Sequence, residues 1–364
     1  RLIDGDSLGT LQEAYAALLK PGDRFVLSGR CVRFVGVQKM TVLVVESENP
    51  QPTVPRWGGQ MLAMGPGLSA HMRDFRAKIK AIAPAGPAAI ARMLTRQYGA
   101  AAPAASLAAA FLHAQHRYAE IPTAASLLIE RVPDEDSVAL IFHAMHGRAV
   151  HDALARLVAW RLGRCFGAAC SAASVVVDDY AFGIWVPQRS SASILRADRT
   201  LVRTLLSPDH FSEDLLSAIE TSELFKTQFR FTAQRSQAIV QNRFGRRSFI
   251  GQLQNYSTRL YEALQQTDPN HPLIRETRRT ILEDLLQAPA AHAWLQQSRH
   301  LPLDLIDLDT PSPFSFGLFA TCRRDTLHFA DSADFLLAMY QKVQARLKVQ
   351  DQSAPPAIAQ ASLF

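Results

Sequence analysis

Five arginines, Arg230, Arg235, Arg243, Arg246 and Arg247, fall in a stretch with no Asp or Glu between its ends, and Phe229, Phe231, Phe244 and Phe249 are interleaved with them. A guanidinium suits a phosphate and an aromatic ring suits the face of a base, so the run is a candidate single-strand surface. A solvated helix face over a Phe-rich core produces the same pattern. Arg275, Arg278 and Arg279 form a second basic group. Arg56 and Trp57 lie in Val54-Pro55-Arg56-Trp57-Gly58-Gly59, a segment too interrupted for a regular strand. There a Trp is either a core plug or an exposed platform.

Other residue types offer weaker chemistry. His113 and His116, and His143, His146 and His151, have spacings that hold a metal when they share a helix face. No Glu follows the first His of a pair as in zinc hydrolases, and packing or capping around a strand-to-helix turn accounts for the same residues. Cys165 and Cys170 lack a second close ligand pair and read as core thiols. Asp178 and Asp179 are adjacent, so on a strand they point to opposite faces, and one is expected in a solvated turn with Tyr180. A phosphate loop needs a Gly-Lys pair, and the sequence has none, so no ATP site is expected in this chain.

The elements that position these residues follow from apolar period and punctuation. Short β-branched runs at Phe25–Leu27, Cys31–Val37 and Thr41–Val45, separated by Pro-Gly and Ser-Gly turns, predict a small β-barrel-like module over residues 1–65, with a helix at Leu11–Leu19 before it. Residues 66–350 read as a mixed α/β domain. Helices are expected over 68–118, although Ala83–Ala110 is Ala-rich and Pro-broken. A hairpin follows at Ala125–Val132 and Ser137–His143, and then a helix that opens after Gly147. A second strand pair is expected at Ser174–Asp178 and Phe182–Val186. The pattern from Ser207 to Gln297 is helical, Leu301–Leu308 is a last strand, and Pro311–Phe314 is extended. The tail after Lys348, residues 351–364 above all, has little to bury and is expected to be disordered. The fold class is α+β.

Bulk properties bound the function. The 364 residues exceed one ordinary core. Hydrophobic content of 48% with 20% charge is that of a folded globular chain, and no run approaches the ~18 apolar residues of a membrane helix. Four scattered cysteines, Cys31, Cys165, Cys170 and Cys322, fit a reducing cytoplasm with buried thiols. Net charge is +6 and pI about 9.3, which makes a polyanion partner plausible. Arg1 in place of Met and the lack of a signal pattern are those of a fragment from a cytoplasmic parent.

Several motifs occur in one order: Leu8-Gly9-Thr10-Leu11, Leu19 to Arg30, Val54 to Gly59, Phe142-His143-x-x-x-Gly147-Arg148-x-Val150-x-Asp152-x-Leu154, Asp179-Tyr180-x-Phe182 and Thr310-Pro311-x-Pro313-Phe314-x-Phe316. Together they resemble the region after the winged helix in Lhr-type superfamily 2 helicases, the ligase-associated DEXH-box subgroup in particular, over residues 1 to about 320. Met61-Leu62-Ala63-Met64 and His146 depart from that pattern. The resemblance implies a parent that uses ATP and Mg in two motor domains, moves 3′ to 5′ on single-stranded DNA, and works in bacterial DNA repair. Implied partners are single-stranded DNA or a DNA–RNA hybrid, the parent's motor and winged-helix domains, and a DNA ligase and nuclease. Arg56, Arg230, Arg235, Arg243, Arg246 and Arg247 would then neutralise phosphates and Trp57 would stack on a base. An independent metal-dependent hydrolase using the His cluster, and an assembly module that never touches DNA, are the rival readings.

Overall fold

Phe25, Leu27, Val32, Phe34 and Val44 are buried on one side of a three-stranded antiparallel sheet, joined by Leu19. Its strands run β1 (Arg24–Leu27), β2 (Arg30–Gln38) and β3 (Thr41–Glu46), in that order. The alternation of buried residues is the period-two signal read from the sequence. The barrel is not: among the described residues β1 and β3 are both edges, and closure needs a first strand that pairs with the last. The computed structural model describes residues 64–353 apart from 135–136, 168–172, 188–197, 221, 241, 244–245, 248–249 and 323–328. Before residue 64 it describes 21–27, 30–38, 41–47 and scattered positions from 2 to 19. The helix expected at Leu11–Leu19 lies largely outside them.

The Ala-rich region folds into α1 (Pro66–Ile82), α2 (Pro87–Tyr98) and α3 (Ala102–Tyr118), each with Pro in its first turn, where the missing N–H costs nothing. Ile79, Ile90, Leu94, Ala105, Ala109 and Leu112 form their shared core, and the small residues let the helices approach closely.

A five-stranded sheet follows. Its strands are β4 (Leu127–Asp134), β5 (Ser137–Phe142), β6 (Ser174–Val177) and β7 (Phe182–Pro187), with α4 (Arg148–Phe166) between β5 and β6. Then come α5 (Arg199–Leu205), α6 (Phe211–Glu220) and α7 (Glu223–Arg235). A two-strand hairpin, β8 (Asn242–Arg243) and β9 (Arg246–Arg247), interrupts the stretch expected to be helical throughout. In the sequence the two positions between them are Phe244-Gly245, and a Gly second in such a pair is a hairpin signal. The chain continues through α8 (Ile250–Thr267), α9 (Pro272–Arg279), a π-helical turn at Thr280–Leu285 and α10 (Ala288–Ser298). The fifth strand, β10 (Leu303–Asp307), precedes α11 (Phe316–Cys322) and α12 (Phe329–Ser353).

Sheet order is β10-β4-β5-β7-β6, with β10 parallel to β4 and every other pair antiparallel. Leu140, Phe142, Phe182, Ile184 and Val186 pack on one face against α4 and the later helices. Val132, Ala139, Ile141 and Trp185 pack on the other against α11 and α12. The sheet is thus buried on both sides, which is why its strands read as near-continuous apolar runs. Gly183 has no substitute there: a Cβ would lie 2.5 Å from Trp185 Cζ3 and 2.8 Å from Ile141 Cδ1. Helix α12 runs past Lys348 to Ser353, because Met339, Val343 and Leu347 recur at helical spacing and are buried. Residues 354–364 of the expected tail are outside the described residues.

Candidate functional site

The three later motifs, at Phe142–Leu154, Asp179–Phe182 and Thr310–Phe316, converge on one buried knot. The connection from β5 to α4 turns through Met145 (φ 55°) and Gly147 (φ 85°), and Arg148 opens the helix. Asp179 completes that helix end from outside: its Oδ1 accepts the backbone N–H of Arg148 and that of Met64, each at 3.0 Å. Asp178 Oδ1 accepts the N–H groups of Tyr180 and Ala181, both at 2.7 Å. Neither aspartate is the solvated turn residue that was expected. Burial raises the Asp178 pKa, although those two N–H groups oppose the shift. Met145 N–H donates to the Tyr180 carbonyl, so the two turns are laced together.

Beneath them lies a buried carboxylate. Glu130 Oε1 accepts from Ser312 Oγ at 2.6 Å and lies 3.0 Å from His143 Nε2. Glu130 Oε2 accepts from Ser315 Oγ at 2.6 Å. Burial opposes the charge, but His143 and the two hydroxyls outweigh it and hold the Glu130 pKa below the usual carboxylate value. The 3₁₀ turn Pro313–Ser315, expected as extended chain, is what aims both serines at Glu130.

Phe314 of that turn faces Arg76 of α1. The Arg76 guanidinium lies over the Phe314 ring at 4.5 Å and over the Tyr180 ring at 5.0 Å. Phe314 in turn sits 5.9 Å from Phe111 of α3. Arg76 is only 6% exposed and its Nη1 is buried without a hydrogen-bond partner, while Tyr180 and Phe111 are each 37% exposed. Burial lowers the Arg76 pKa to about 10, so the group stays charged at neutral pH. Arg73, one turn before Arg76, donates to the Met145 carbonyl at 2.9 Å.

The histidines are spent within this knot. His151 Nε2 accepts the His146 backbone N–H at 3.0 Å, and His151 Nδ1 donates to the Asp178 carbonyl at 2.7 Å. Both ring nitrogens are occupied, and burial lowers the His151 pKa to about 4. His146 Nδ1 pairs with the Ala144 carbonyl. Among the described residues no group of three or more His, Cys, Asp or Glu is disposed to hold a metal ion. Of His143, His146 and His151, His151 alone has both ring nitrogens engaged by backbone groups and so no lone pair to offer a metal, while His143 Nδ1 is buried without a partner. His113 and His116 lie 6.2 Å apart on α3, and burial lowers the His113 pKa.

The basic residues divide. Arg230 is buried, with its guanidinium 5.1 Å over the Phe231 ring. Arg235 is exposed at the end of α7. Arg243 and Arg246 are register partners in the hairpin, and Arg247 pairs with Asn242. Two of the three arginines of the second basic group are neutralised instead. Arg278 pairs with Glu220, and Arg279 with Glu276, Glu283 and Asp284, the first of which does most to raise the Arg279 pKa. Arg56, Trp57 and Cys170 lie outside the described residues. Cys165, expected as a core thiol, is exposed, because the buried stripe of α4 ends at Arg161 and Leu162. Cys31 and Cys322 are half-buried. The Glu130 cradle and the Arg76 stack went unread in the sequence, since Glu130 lies more than a hundred positions from Ser312 and Ser315, and Arg76 from Tyr180 and Phe314.

Two family models match. The DEAD/H associated family covers residues 121–315, more than half of the chain and all of the knot except α1 and α3. The winged helix domain of the Large helicase-related protein covers residues 1–54. The N-terminal module therefore matches the winged helix itself, not a barrel that follows one. The chain is 27% identical over 347 residues to ATP-dependent helicase Lhr-Core protein 2 of Thermococcus barophilus, covering 95% of this chain and 39% of that protein. It is 28% identical over 351 residues to ATP-dependent helicase Lhr-Core of Sulfolobus acidocaldarius, with 94% and 39% covered. It thus spans about two fifths of the length of these curated relatives. The solved structure of Mycobacterium smegmatis helicase Lhr bound to ssDNA and AMP-PNP matches with a TM-score of 0.60 at 23% identity, over 74% of this chain and 34% of that one, a likeness of fold. The chain belongs to the DEAD/H associated family, and its sequence is that of a C-terminal region of Lhr-like helicases.

Proposed function

We propose that this chain is the strand-binding accessory region of an ATP-driven DNA helicase and forms one wall of the single-strand channel. The observation that carries this is the distribution of charge around the hairpin. No acid occurs between Glu223 and Glu262, and three of the four residues of β8 and β9 are arginines. Arg278 and Arg279 of α9, by contrast, are already paired with carboxylates. Arg235, Arg243, Arg246 and Arg247 neutralise phosphates without reading sequence, and Arg56 adds to them. Trp57 supplies a sequence-tolerant stacking face. It stands seven positions before Met64, whose N–H is held by Asp179. ATP and Mg act in the motor domains of the parent, and 3′-to-5′ movement in DNA repair is the role we assign to the whole.

The test is the salt dependence of single-strand binding. Converting Arg243, Arg246 and Arg247 together to Ala flattens the log–log salt slope by about 0.7 for each phosphate no longer neutralised, roughly 2 for all three. Unchanged affinity and slope show a solvated face and overturn the assignment.

A further inference from the structure

We propose that Tyr180 is a second stacking platform for a nucleobase of the bound strand, held in place by Arg76; this rests on the strand-binding reading above. Three observations carry it. First, the Tyr180 ring is 37% exposed although its backbone is fixed on both sides. Its N–H is held by Asp178 Oδ1 at 2.7 Å and its carbonyl by Met145 N–H at 3.0 Å. Second, one face of the ring is covered by the Arg76 guanidinium at 5.0 Å, which leaves the opposite face for a base. Third, Arg76 cannot drift. Phe314 lies 4.5 Å behind its guanidinium and is backed by Phe111 at 5.9 Å, and Arg76 is 6% exposed.

Burying a cation with Nη1 unpaired is costly, and α1 carries that cost at a position that packing alone would fill with an apolar residue. What the cost achieves is an immobilised aromatic face at the surface. A platform that is already ordered loses little side-chain freedom when a base lands on it. A base is the ligand class that fits, because it offers a flat π-face to a flat ring, and every base does so. Arg73 and Arg76 lie on one side, while Asp178 and Asp179 each commit Oδ1 to two backbone N–H groups.

The experiment uses the full chain and a short thymidine oligonucleotide carrying one 2-aminopurine, whose fluorescence falls when it stacks. Tyr180→Phe keeps the ring and is expected to bind within about twofold of the unaltered protein. Tyr180→Leu keeps the bulk but not the π-face and is expected to lose about 5- to 150-fold in affinity, along with the stacking quench, at an unchanged unfolding midpoint. Binding and quench that survive Tyr180→Leu overturn the platform and leave the strand-binding reading intact. Loss of binding by Tyr180→Phe as well as Tyr180→Leu assigns the effect to the hydroxyl and overturns stacking. No binding by the unaltered protein overturns both readings. Should Tyr180→Leu unfold, a strand with an abasic site decides instead: equal affinity of the unaltered protein for abasic and intact strands overturns the platform.

Discussion

Glu130 and Ser312, 182 positions apart in sequence, meet at 2.6 Å in a site closed to solvent. The contact ties β4 to the turn that follows β10, and Ser315 and His143 complete the shell around the carboxylate. Glu130→Ala strands three polar groups in the core and is expected to cost about 3–5 kcal/mol of stability. Ser312→Ala removes one donor and is expected to cost about 1–3 kcal/mol. Urea unfolding followed by circular dichroism reads both, and a Glu130→Ala midpoint equal to that of the unaltered chain refutes the role.

Asp179 caps α4 from thirty-one positions downstream, through the Arg148 N–H. Asp179→Ala leaves that donor and the Met64 N–H without acceptors and is expected to lose about 1–2 kcal/mol. Asp179→Asn keeps an acceptor oxygen and is expected to restore most of it. Equal losses for the two variants would assign the effect to charge instead of capping.

Gly147 has φ 85°, and an added Cβ would stand 2.6 Å from the Met64 carbonyl oxygen. Gly147→Ala therefore meets strain and a backbone clash at once, and a loss of at least about 2 kcal/mol is expected. Faster hydrogen exchange at the Met64 amide is the specific sign, because that residue has to move away.

His151 gives a pH signature. Burial holds its folded pKa at about 4, below the 6.5 of an ordinary imidazole, so the unfolded chain binds the proton first. The stability due to the neutral ring is complete above pH 6.5, falls as pH drops from 6.5 to about 4, and then levels off. The full amount is about 3 kcal/mol. His151→Gln is expected to flatten that part of the stability–pH curve, and two parallel curves would exclude His151 as its source.

Trp57→Ala separates a platform from a plug. The expected outcome is a loss of about 1–3 kcal/mol in single-strand affinity with stability changed by no more than about 0.5 kcal/mol. A plug would instead cost about 3–5 kcal/mol of stability. Fluorescence titration and thermal unfolding of the same preparation tell them apart.

What was legible in the sequence was local. The β4–β5 hairpin, the helix after Gly147, the β6–β7 pair and the strand at Leu303–Asp307 all announce themselves through apolar period and turn residues. The β8–β9 hairpin has only the Phe244-Gly245 pair to announce it, since two-residue strands carry no period. The open N-terminal sheet was read as a barrel because strand spacing alone does not say whether the first strand meets the last. The functional motifs were visible as strings, but their geometry was not. Nothing local in Arg76 distinguishes it from Arg73, yet one is sealed between two rings and the other reaches a carbonyl. Charge was similarly blind to burial: Arg230 sits in the same acid-free run as Arg235 and faces inward.

The parallel pairing of β10 with β4, Leu303 against Leu127 through Asp307 against Arg131, has a consequence for biogenesis. During synthesis the antiparallel strands β4, β5, β7 and β6 leave the ribosome long before Leu303 does. Throughout that interval the β4 edge carries an open row of backbone donors and acceptors flanked by Leu127, Leu128 and Ile129. An unpaired apolar edge invites pairing with another nascent chain. The helices from α5 to α10 fill the interval and cover one face of the sheet, but not its rim. A chain truncated before Leu303 keeps that rim bare for good, so premature termination here yields an aggregation-prone product and not merely a shorter one.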